Sequence, residues 1–333
     1  MASAITLARA GRREHPSLVG VLSARFFRPR TGSFGRWFPP GRADNVGTGR
    51  EGTMASKRVE NTALGVGTIR AMESHEPPEQ RLFDDQVAEG FLTGVTASLV
   101  RHGSLRRVFR RLVEAAAPGI YGSVVCRTHL IDDACTRFPQ VVIVGAGMDT
   151  RPYRLRAMSA PTPVWEIDLP AVQTAKMSAV HRTLGTLPAN VRYVPADLAE
   201  SSLSELLPDA GFDASTAALL ICEAVLQYLP AQAADSLFAF AGGLPAGSRL
   251  IFTYLPEEVL RAPRHARRVR HFHWQTGFDP ARLPDLLTAH GLTLTADLGR
   301  AEFESHCLAP RSRRLPVAEL ERIAIAEVGP PTS

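Results

Sequence analysis

Lysine is almost absent from this chain of 333 residues: only Lys57 and Lys176 occur, so arginine supplies nearly all of the positive charge. The formal net charge is +5, and a positive charge can indicate an acidic partner such as nucleic acid. The excess lies at the N-terminus, because residues 1–50 contain nine arginines against Glu14 and Asp44. The remainder is close to neutral, so we predict that the folded part does not bind nucleic acid.

Cysteine is also scarce, and long apolar runs are missing. The four cysteines, which are Cys126, Cys135, Cys222 and Cys307, show neither a C-x-x-C pair nor a histidine spacing typical of zinc, so no metal site is predicted. They lie among apolar residues and are expected to be buried, reduced thiols of a cytoplasmic protein. No apolar run approaches the roughly 20 residues that a membrane helix needs. A membrane partner is therefore not predicted either.

The N-terminal segment differs from the rest of the chain in composition and hydrophobic periodicity. Residues 1–60 lack hydrophobic periodicity and are rich in Gly, Pro, Ser and Arg, so we predict a disordered, Arg-rich tail. Met54 is then an alternative start, and the folded domain covers 61–333. A second interpretation is that five aromatic residues between 26 and 38 dock on the domain as a lid.

A strand, a glycine turn and a second strand follow one another in the middle of the chain. Residues 141–144 are β-branched without a polar interruption, which is typical of a strand buried on both faces of a parallel sheet. This strand ends at Gly145-Ala146-Gly147, where missing side chains allow a ligand to approach the backbone. The next apolar strand ends at Asp168, where nucleotide-binding folds place an acid that accepts hydrogen bonds from ribose hydroxyls.

The residues after the turn favour S-adenosylmethionine over a dinucleotide. A dinucleotide fingerprint needs a third Gly or Ala, but this chain has Thr150 there. Asp149, which together with Thr150 offers an N-cap for the next helix, adds a negative charge that would repel a pyrophosphate. S-adenosylmethionine carries an ammonium and a sulfonium and no phosphate. An NAD-dependent oxidoreductase is the enzymatic alternative, and a cofactor-binding module without catalysis is the non-enzymatic one.

The alternation of strands and helices predicts an α/β fold. Strands are predicted at 141–145, 164–168, 191–195, 216–222, 248–254, 292–297 and 322–328, and helices at 61–70, 81–100, 105–117, 121–138, 151–158, 170–184, 201–207, 231–242 and 279–290. Such alternation implies a parallel sheet with right-handed crossovers. The last two strands, with no helix apparent between them, are expected to pair antiparallel at one edge. The prediction is a doubly wound, Rossmann-like sheet of the class I methyltransferase type: five parallel strands, a terminal antiparallel pair, and added N-terminal helices at 61–138 that cap the carboxyl edge.

Acidic residues follow three consecutive predicted strands. Asp168 ends the second strand, Asp197-Leu198 follow the third, and Glu223 ends the fourth. Because the carboxyl ends of parallel strands meet in one crevice, these residues are candidates for the ribose, the adenine and the ammonium of the cofactor, respectively. Arg127, on the helix before the first strand, is a candidate for the cofactor carboxylate, since arginine holds a carboxylate with two parallel hydrogen bonds.

Several motifs resemble one known family. RLFDD, VVCRTHLIDD, GAGMDTRPYRL, WEIDLPAVQTAK, PADL and CEAVLQYL occur in this order and are similar to the leucine carboxyl methyltransferase family, especially to its bacterial branch of S-adenosylmethionine-dependent methyltransferases. The resemblance runs from about residue 71 to residue 328, whereas residues 1–60 and the Arg/His-rich stretch from Arg261 find little counterpart.

The resemblance implies a role for each candidate residue. Arg127 would hold the cofactor carboxylate and Glu223 its amino group, with Gly145 under the methionyl chain. Asp168 would bind the ribose, and Asp197-Leu198 would lie at the adenine.

The resemblance and the chemistry together predict an O-methyltransferase acting on the carboxylate of a small molecule. A carboxylate is already ionised at neutral pH and needs no general base, and the sequence shows no Ser-His-Asp or paired-carboxylate arrangement that would indicate hydrolysis. A hydroxyl acceptor would benefit from a base. His265, His271 and His273 are then the candidates, although an exposed helix face explains them equally well. The sequence predicts neither the acceptor nor the oligomeric state.

Overall fold

The computed structural model describes residues 63–329, and the description below refers to them. Their centre is one sheet of seven strands in the order β3-β2-β1-β4-β5-β7-β6. The strands are β1 (Gln140–Val144), β2 (Val164–Asp168), β3 (Val191–Pro195), β4 (Ala218–Cys222), β5 (Arg249–Tyr254), β6 (Leu292–Leu298) and β7 (Arg322–Val328). The first five are parallel, and β7 pairs antiparallel with both β5 and β6. The predicted seven-strand sheet with a terminal antiparallel pair is confirmed.

The central strands are buried because helices cover both faces of the sheet. All five residues of β1, β2 and β4 are buried. Successive side chains point to opposite faces of a strand, so Val141 and Ile143 join one hydrophobic cluster while Val142 and Val144 join the other. The uninterrupted apolar runs in the sequence follow from this burial on both sides.

The helices are shorter and more numerous than the sequence indicated. They are α1 (63–73), α2 (Gln86–Phe91), α3 (Gly94–Arg101), α4 (Gly103–Ala116), α5 (Ile120–Ala134), α6 (Arg151–Arg154), α7 (Pro170–Leu184), α8 (Leu203–Asp209), α9 (Ala231–Gly242), α10 (Glu257–Arg261), α11 (Ala266–Phe272), α12 (Leu283–Ala289) and α13 (Arg300–Glu302).

The single helix predicted over 81–100 is wrong. Asp85 caps the start of α2 by accepting a hydrogen bond from the Ala88 amide. The chain is extended at Leu92, and Gly94 has a φ of +57°, a left-handed conformation that a helix interior does not use. The chain therefore forms two short helices, α2 and α3.

Two other helix predictions need correction. The helix predicted over 151–158 is a short α-helix followed by a 3-10 turn at Arg156–Met158. The segment between β6 and β7, where no helix was expected, contains α13, a π-helical turn at Phe303–Leu308 and a 3-10 turn at Ala309–Arg311. Mixed hydrogen-bonding patterns of this kind do not produce a regular 3.6-residue periodicity in the sequence.

The sequence also led to predictions about the cysteines, the N-terminal tail and membrane-spanning helices. All four cysteines are unpaired and buried, as predicted. The tail at 1–60, the Met54 start and the docking of the aromatic residues lie outside the described residues. Between residues 63 and 329, no helix is long and apolar enough to span a membrane.

Candidate active site

The glycine turn lies where the strand order reverses. The strands next to β1 are β2 and β4, so the chain leaves β1 in one direction and later returns to its other side. Ligands of open α/β sheets bind at the carboxyl ends of the strands at such a point. Gly145 has a φ of +65°. A Cβ at this position would collide with the Cγ2 atom of Val225, a residue in the loop after β4. Glycine is thus required at this position by both conformation and space.

Asp168 at the end of β2 is bound to this turn. Its Oδ2 accepts a hydrogen bond from the Gly147 amide at 2.6 Å, and its Oδ1 accepts one from the Leu169 amide at 2.7 Å. Burial raises the pKa of Asp168, although these two amides act against the rise. Each carboxylate oxygen can accept a second hydrogen bond. The side chain therefore fixes the turn and can still accept bonds from a diol.

Glu223, directly after β4, lies between two arginines. Its Oε1 is 2.7 Å from Arg127 Nε, and its Oε2 is 2.7 Å from Arg151 Nη1. Burial alone would raise the pKa of Glu223, but the two guanidinium groups lower it to about 2. The carboxylate is therefore ionised at neutral pH.

Arg151 was not among the predicted site residues, yet it is the most connected side chain of the site. It is completely buried. Besides Glu223, it pairs with Asp132 Oδ1 at 2.7 Å and Asp149 Oδ2 at 2.6 Å. A signal for it existed in the sequence, because a cation in the first turn of a helix opposes the helix dipole unless acids surround it.

The partners of Arg151 also change one argument made from the sequence. Asp149, which was expected to repel a pyrophosphate, is paired with Arg151, and the positive neighbours lower its pKa despite the burial that would raise it. Its charge is largely compensated, so the electrostatic case against a dinucleotide is weaker than the sequence indicated.

Arg127 is a buried residue of α5 rather than a surface arginine. Its Nε bonds to Glu223, and its Nη1 forms an ion pair with Glu321 Oε2. Its Nη2 donates no hydrogen bond within residues 63–329, so this nitrogen is available to a further carboxylate. Glu321 immediately precedes β7 and was missed by the sequence analysis, because nothing local relates it to a residue 194 positions away.

A short relay connects Glu321 to the backbone next to Glu223. The Thr253 hydroxyl donates to Glu321 Oε1 at 2.7 Å and accepts a hydrogen bond from the Ala224 amide, also at 2.7 Å. Ala224 has a φ of +59°, which is uncommon for a residue with a side chain. The relay thus stabilises the turn that directs Glu223 into the site.

Further ion pairs extend this cluster toward the N-terminal helices. Arg154 pairs with Asp132 at 2.7 Å, and Asp85 is 3.1 Å from Arg70 and 3.5 Å from Arg154. We call the whole set the arginine–carboxylate network; its members are Arg70, Arg127, Arg151, Arg154, Asp85, Asp132, Asp149, Glu223 and Glu321. Five carboxylates face four guanidinium groups, so the network carries one excess negative charge. S-adenosylmethionine has a net charge of +1 at neutral pH, which this excess complements.

The remaining predicted residues lie at the edge of the site. Asp197 is exposed and accepts a hydrogen bond from the Ala199 amide at 3.0 Å, while Leu198 is half-buried against the hydrophobic core. The Ala196 amide donates to the Asp168 carbonyl at 2.9 Å, which places this loop beside the end of β2.

The candidate bases lie on the segment between β5 and α12. His271 and His273 are exposed, and His265 is half-buried and accepts a hydrogen bond from Arg264 Nε at 3.1 Å. Over residues 63–329, no group of three His, Cys, Asp or Glu side chains could hold a metal ion.

Comparison with known proteins assigns the chain to a family. The sequence model of a family described as Leucine carboxyl methyltransferase matches residues 63–242. A protein of Mycolicibacterium smegmatis is 38% identical over 240 residues, which cover 66% of this chain and 74% of that protein. A protein of Frankia alni is 32% identical over 262 residues, which cover 75% of this chain and 88% of that protein. Both carry the name "putative S-adenosyl-L-methionine-dependent methyltransferase".

Solved structures are similar at a lower level, and one of them serves as an example. It is described as a "putative methyltransferase" from Thermobifida fusca and is 18% identical, with a TM-score of 0.49 over 73% of this chain and 93% of that one. A likeness of this size adds nothing to the assignment, which rests on the family match and on the two relatives.

Proposed function

Because this chain belongs to the leucine carboxyl methyltransferase family and is an S-adenosylmethionine-dependent methyltransferase, we propose that it methylates the carboxylate of a small molecule and forms a methyl ester. The same proposal gives each site residue a contact with the cofactor. Arg127 binds the methionyl carboxylate through its free Nη2, and Glu223 binds the ammonium. The turn of Gly145 and Gly147 lies against the methionyl chain, with Asp168 at the ribose and Asp197-Leu198 at the adenine.

The observation that carries the carboxylate proposal is a buried donor without an acceptor. The indole nitrogen of Trp274 is buried and has no hydrogen-bond partner within the described residues. The hydroxyl of Tyr228 is close enough to this nitrogen for Trp274 to lower the pKa of Tyr228. Tyr228 is also close enough to Arg127 and Glu321 for their charges to influence its pKa. A buried N–H without an acceptor costs about 1–3 kcal/mol, so an acceptor oxygen supplied by a substrate would remove this cost.

Tyr228 is a second donor at the same place. Burial raises the pKa of Tyr228 above its ordinary value, so the hydroxyl remains protonated at neutral pH and can donate. The segment that carries Trp274 is held against Tyr228 by backbone contacts: the Gln275 amide donates to the Gln227 carbonyl at 2.7 Å, and the Thr276 hydroxyl donates to the Leu229 carbonyl at 2.6 Å. Two donors at the methionyl end of the network are suited to an anionic oxygen.

The reaction requires little more than positioning. The bound cofactor supplies a methyl group activated by its sulfonium. Trp274 and Tyr228 would hold the acceptor as an ionised carboxylate, which needs no base to remove a proton from it. Glu223 is already ionised and bound to two arginines, so its task is to hold a cation rather than to accept a proton.

The test is a methyl-transfer assay with isotopically labelled S-adenosylmethionine. Carboxylic acids are compared with the alcohols and amides of the same carbon skeletons, and the products are treated with alkali, which releases methanol from a methyl ester but not from a methyl ether. We expect acids to be methylated and the label to be released by alkali. Label transferred only to alcohols or phenols, in alkali-stable products, would contradict the proposal and would direct attention to His265 as a base.

A matched variant locates the acceptor. Trp274→Phe keeps an aromatic ring and removes the N–H group together with one ring of the indole, so KM for the acceptor should rise several-fold while the Kd of S-adenosylmethionine stays unchanged. An unchanged KM would show that the acceptor does not bind at Trp274.

A further inference from the structure

One of the two lysines of the chain lies beneath the glycine turn. Lys176 is on α7 and is 1% exposed. Its Nζ is 2.7 Å from Glu166 Oε1 and donates a hydrogen bond to the Ala146 carbonyl at 3.2 Å. Ala146 is the central residue of the turn, between Gly145 and Gly147. The ammonium therefore connects the middle of β2 to the peptide that we place against the cofactor.

Glu166 is itself part of a buried polar chain. Its Oε2 accepts a hydrogen bond from the Tyr153 hydroxyl at 3.1 Å, and this hydroxyl is 3.1 Å from that of Tyr193. The Lys176 ammonium also lies over the Tyr153 ring at 5.8 Å from its centre. Besides Lys176 and Tyr153, the charge of Asp149 acts on Glu166 and raises its pKa.

Stability alone does not explain a buried ion pair here. Removing two charges from water is costly, and an apolar pair of similar volume often stabilises a protein equally well or better. An apolar side chain, however, could not hold a carbonyl group. The Ala146 carbonyl also accepts a bond from the Asp149 amide at 2.8 Å, while the Ala146 amide donates to the Ile167 carbonyl at 2.9 Å. Lys176 is the side-chain cation that binds the Ala146 carbonyl, whereas Arg70 donates to the carbonyl of Met148, the residue after Gly147.

We propose that Lys176 is a positioning residue for cofactor binding. It acts through the Ala146 carbonyl, holding the peptide plane so that Gly145 and Gly147 present their backbone to the methionyl chain, and it does not touch the cofactor itself. Glu166 keeps the ammonium directed at that carbonyl, and in its ionised form it balances the ammonium charge, so that a cationic cofactor is not repelled. The proposal rests on the glycine turn as the cofactor site and is independent of the acceptor's identity.

The test compares two proteins that differ only at Lys176. Glu166→Gln provides the background, because it avoids leaving an unpaired buried carboxylate, and Lys176→Met is added to it. Met retains most of the volume of the lysine stem and removes the donor. The Kd values of S-adenosylmethionine and of its demethylated product are measured by titration calorimetry for both proteins. Loss of a charged hydrogen bond predicts that the added substitution weakens both ligands by roughly tenfold or more.

The two ligands distinguish positioning from a direct charge effect. The product lacks the sulfonium charge, so a loosened turn weakens both ligands by the same factor, which supports the proposal. If Lys176 instead acted by its charge on the cofactor, its removal would strengthen binding of S-adenosylmethionine relative to the product. That result, or equal affinities with and without Lys176, would overturn the proposal.

A second buried ion pair controls for general destabilisation. Arg313 pairs with Glu73 and is mostly shielded from solvent. Within the described residues, its hydrogen bonds go to Glu73 and to the Gln80 carbonyl and to no residue of the glycine turn. Arg313→Met should lower the melting temperature and leave both Kd values unchanged; an equal loss of affinity in this variant would also overturn the proposal. Should the Met variant of Lys176 not fold, Lys176→Gln in the same background decides the question. Its shorter amide predicts a smaller weakening of both ligands in the same direction, and unchanged affinities would reject the role.

Discussion

Asp168 has two tasks that compete for the same carboxylate. One is structural, because its oxygens accept hydrogen bonds from the Gly147 and Leu169 amides. The other is the proposed binding of the ribose hydroxyls, which uses the remaining acceptor capacity of the same oxygens. A substitution therefore affects the ligand directly and also through the turn.

Asp168→Ala should weaken binding of S-adenosylmethionine by on the order of 1.5–3 kcal/mol, since hydrogen bonds to a charged acceptor are lost. Titration calorimetry measures the change, and thermal unfolding checks that the variant is folded. The exposed acid Asp209 provides the control, because Asp209→Ala should bind as the wild type does. A folded Asp168→Ala protein with an unchanged Kd would remove Asp168 from the site.

The candidate residues that follow strands could be predicted because geometry brings them together. The carboxyl ends of parallel strands share one edge, so Gly145, Asp168 and Glu223 needed only the strand assignments. Their ion-pair partners could not be predicted. Whether Arg127 meets Glu321 depends on the path of the chain between β6 and β7, and the burial of Arg151 depends on three acids from separate segments.

At the level of elements, the antiparallel end of the sheet contributes to the site. Strand β7 lies next to β5 and brings Glu321 against Arg127 and Thr253. The Thr253 hydroxyl in turn bonds to the Ala224 amide beside Glu223. The C-terminal strands are therefore more than an edge added to a nucleotide-binding sheet.

Thr253→Val removes the hydroxyl of this relay with little change in volume. It leaves the Ala224 amide and one Glu321 oxygen without their partner, so the free energy of unfolding should fall by about 1–3 kcal/mol. S-adenosylmethionine should also bind more weakly, because the turn that directs Glu223 is loosened. Thr253→Ser retains the hydroxyl and should restore cofactor affinity. If the Val and Ser variants bind equally well, the relay has no part in cofactor binding.

The strands were easier to predict than the helices for a physical reason. A strand buried on both faces requires a run of apolar residues, and such runs are visible at β1, β2 and β4. Helix ends depend on local caps and turns, such as the cap at Asp85 before α2 and the left-handed Gly94 at the start of α3. The helical spacing of apolar residues continues across these interruptions, so spacing alone predicts one helix where the structure has two.

For the molecule as a whole, the buried Glu166 makes stability depend on pH. Burial raises its pKa from 4.5 to about 7, even though Lys176 acts in the opposite direction. The folded state therefore binds this proton more tightly than the unfolded state does. The associated stabilisation is fully present below the unfolded-state pKa and is lost as the pH rises through about 7.

The free energy of unfolding of the wild type should consequently decrease between about pH 5 and about pH 8 relative to that of Glu166→Gln, which cannot ionise. Chemical denaturation across this range measures the difference. The exposed Glu79 supplies the control, since Glu79→Gln should follow the wild type at every pH. Parallel curves for the wild type and Glu166→Gln would show that Glu166 does not change its ionisation on unfolding.

The domain boundary is a further prediction for the whole chain. We propose that the catalytic domain needs nothing before Met54, because the preceding residues lack apolar periodicity and cannot bury enough surface to offset an ordering entropy of about 1–2 kcal/mol per residue. A chain that begins at Met54 should have the melting temperature and cofactor affinity of the full chain. A fall of several degrees, or a loss of binding, would show that the N-terminal segment belongs to the folded domain.

A crystal structure with bound S-adenosylhomocysteine tests most directly whether the arginine–carboxylate network is the cofactor site. We predict that the methionyl carboxylate lies within hydrogen-bond distance of Arg127 and that the ammonium lies at Glu223. The ribose hydroxyls should be bound to Asp168, beside the turn of Gly145 and Gly147. A ligand bound elsewhere, or one whose carboxylate avoids Arg127 while this residue keeps only Glu223 and Glu321 as partners, would contradict the assignment of the arginine–carboxylate network as the cofactor site.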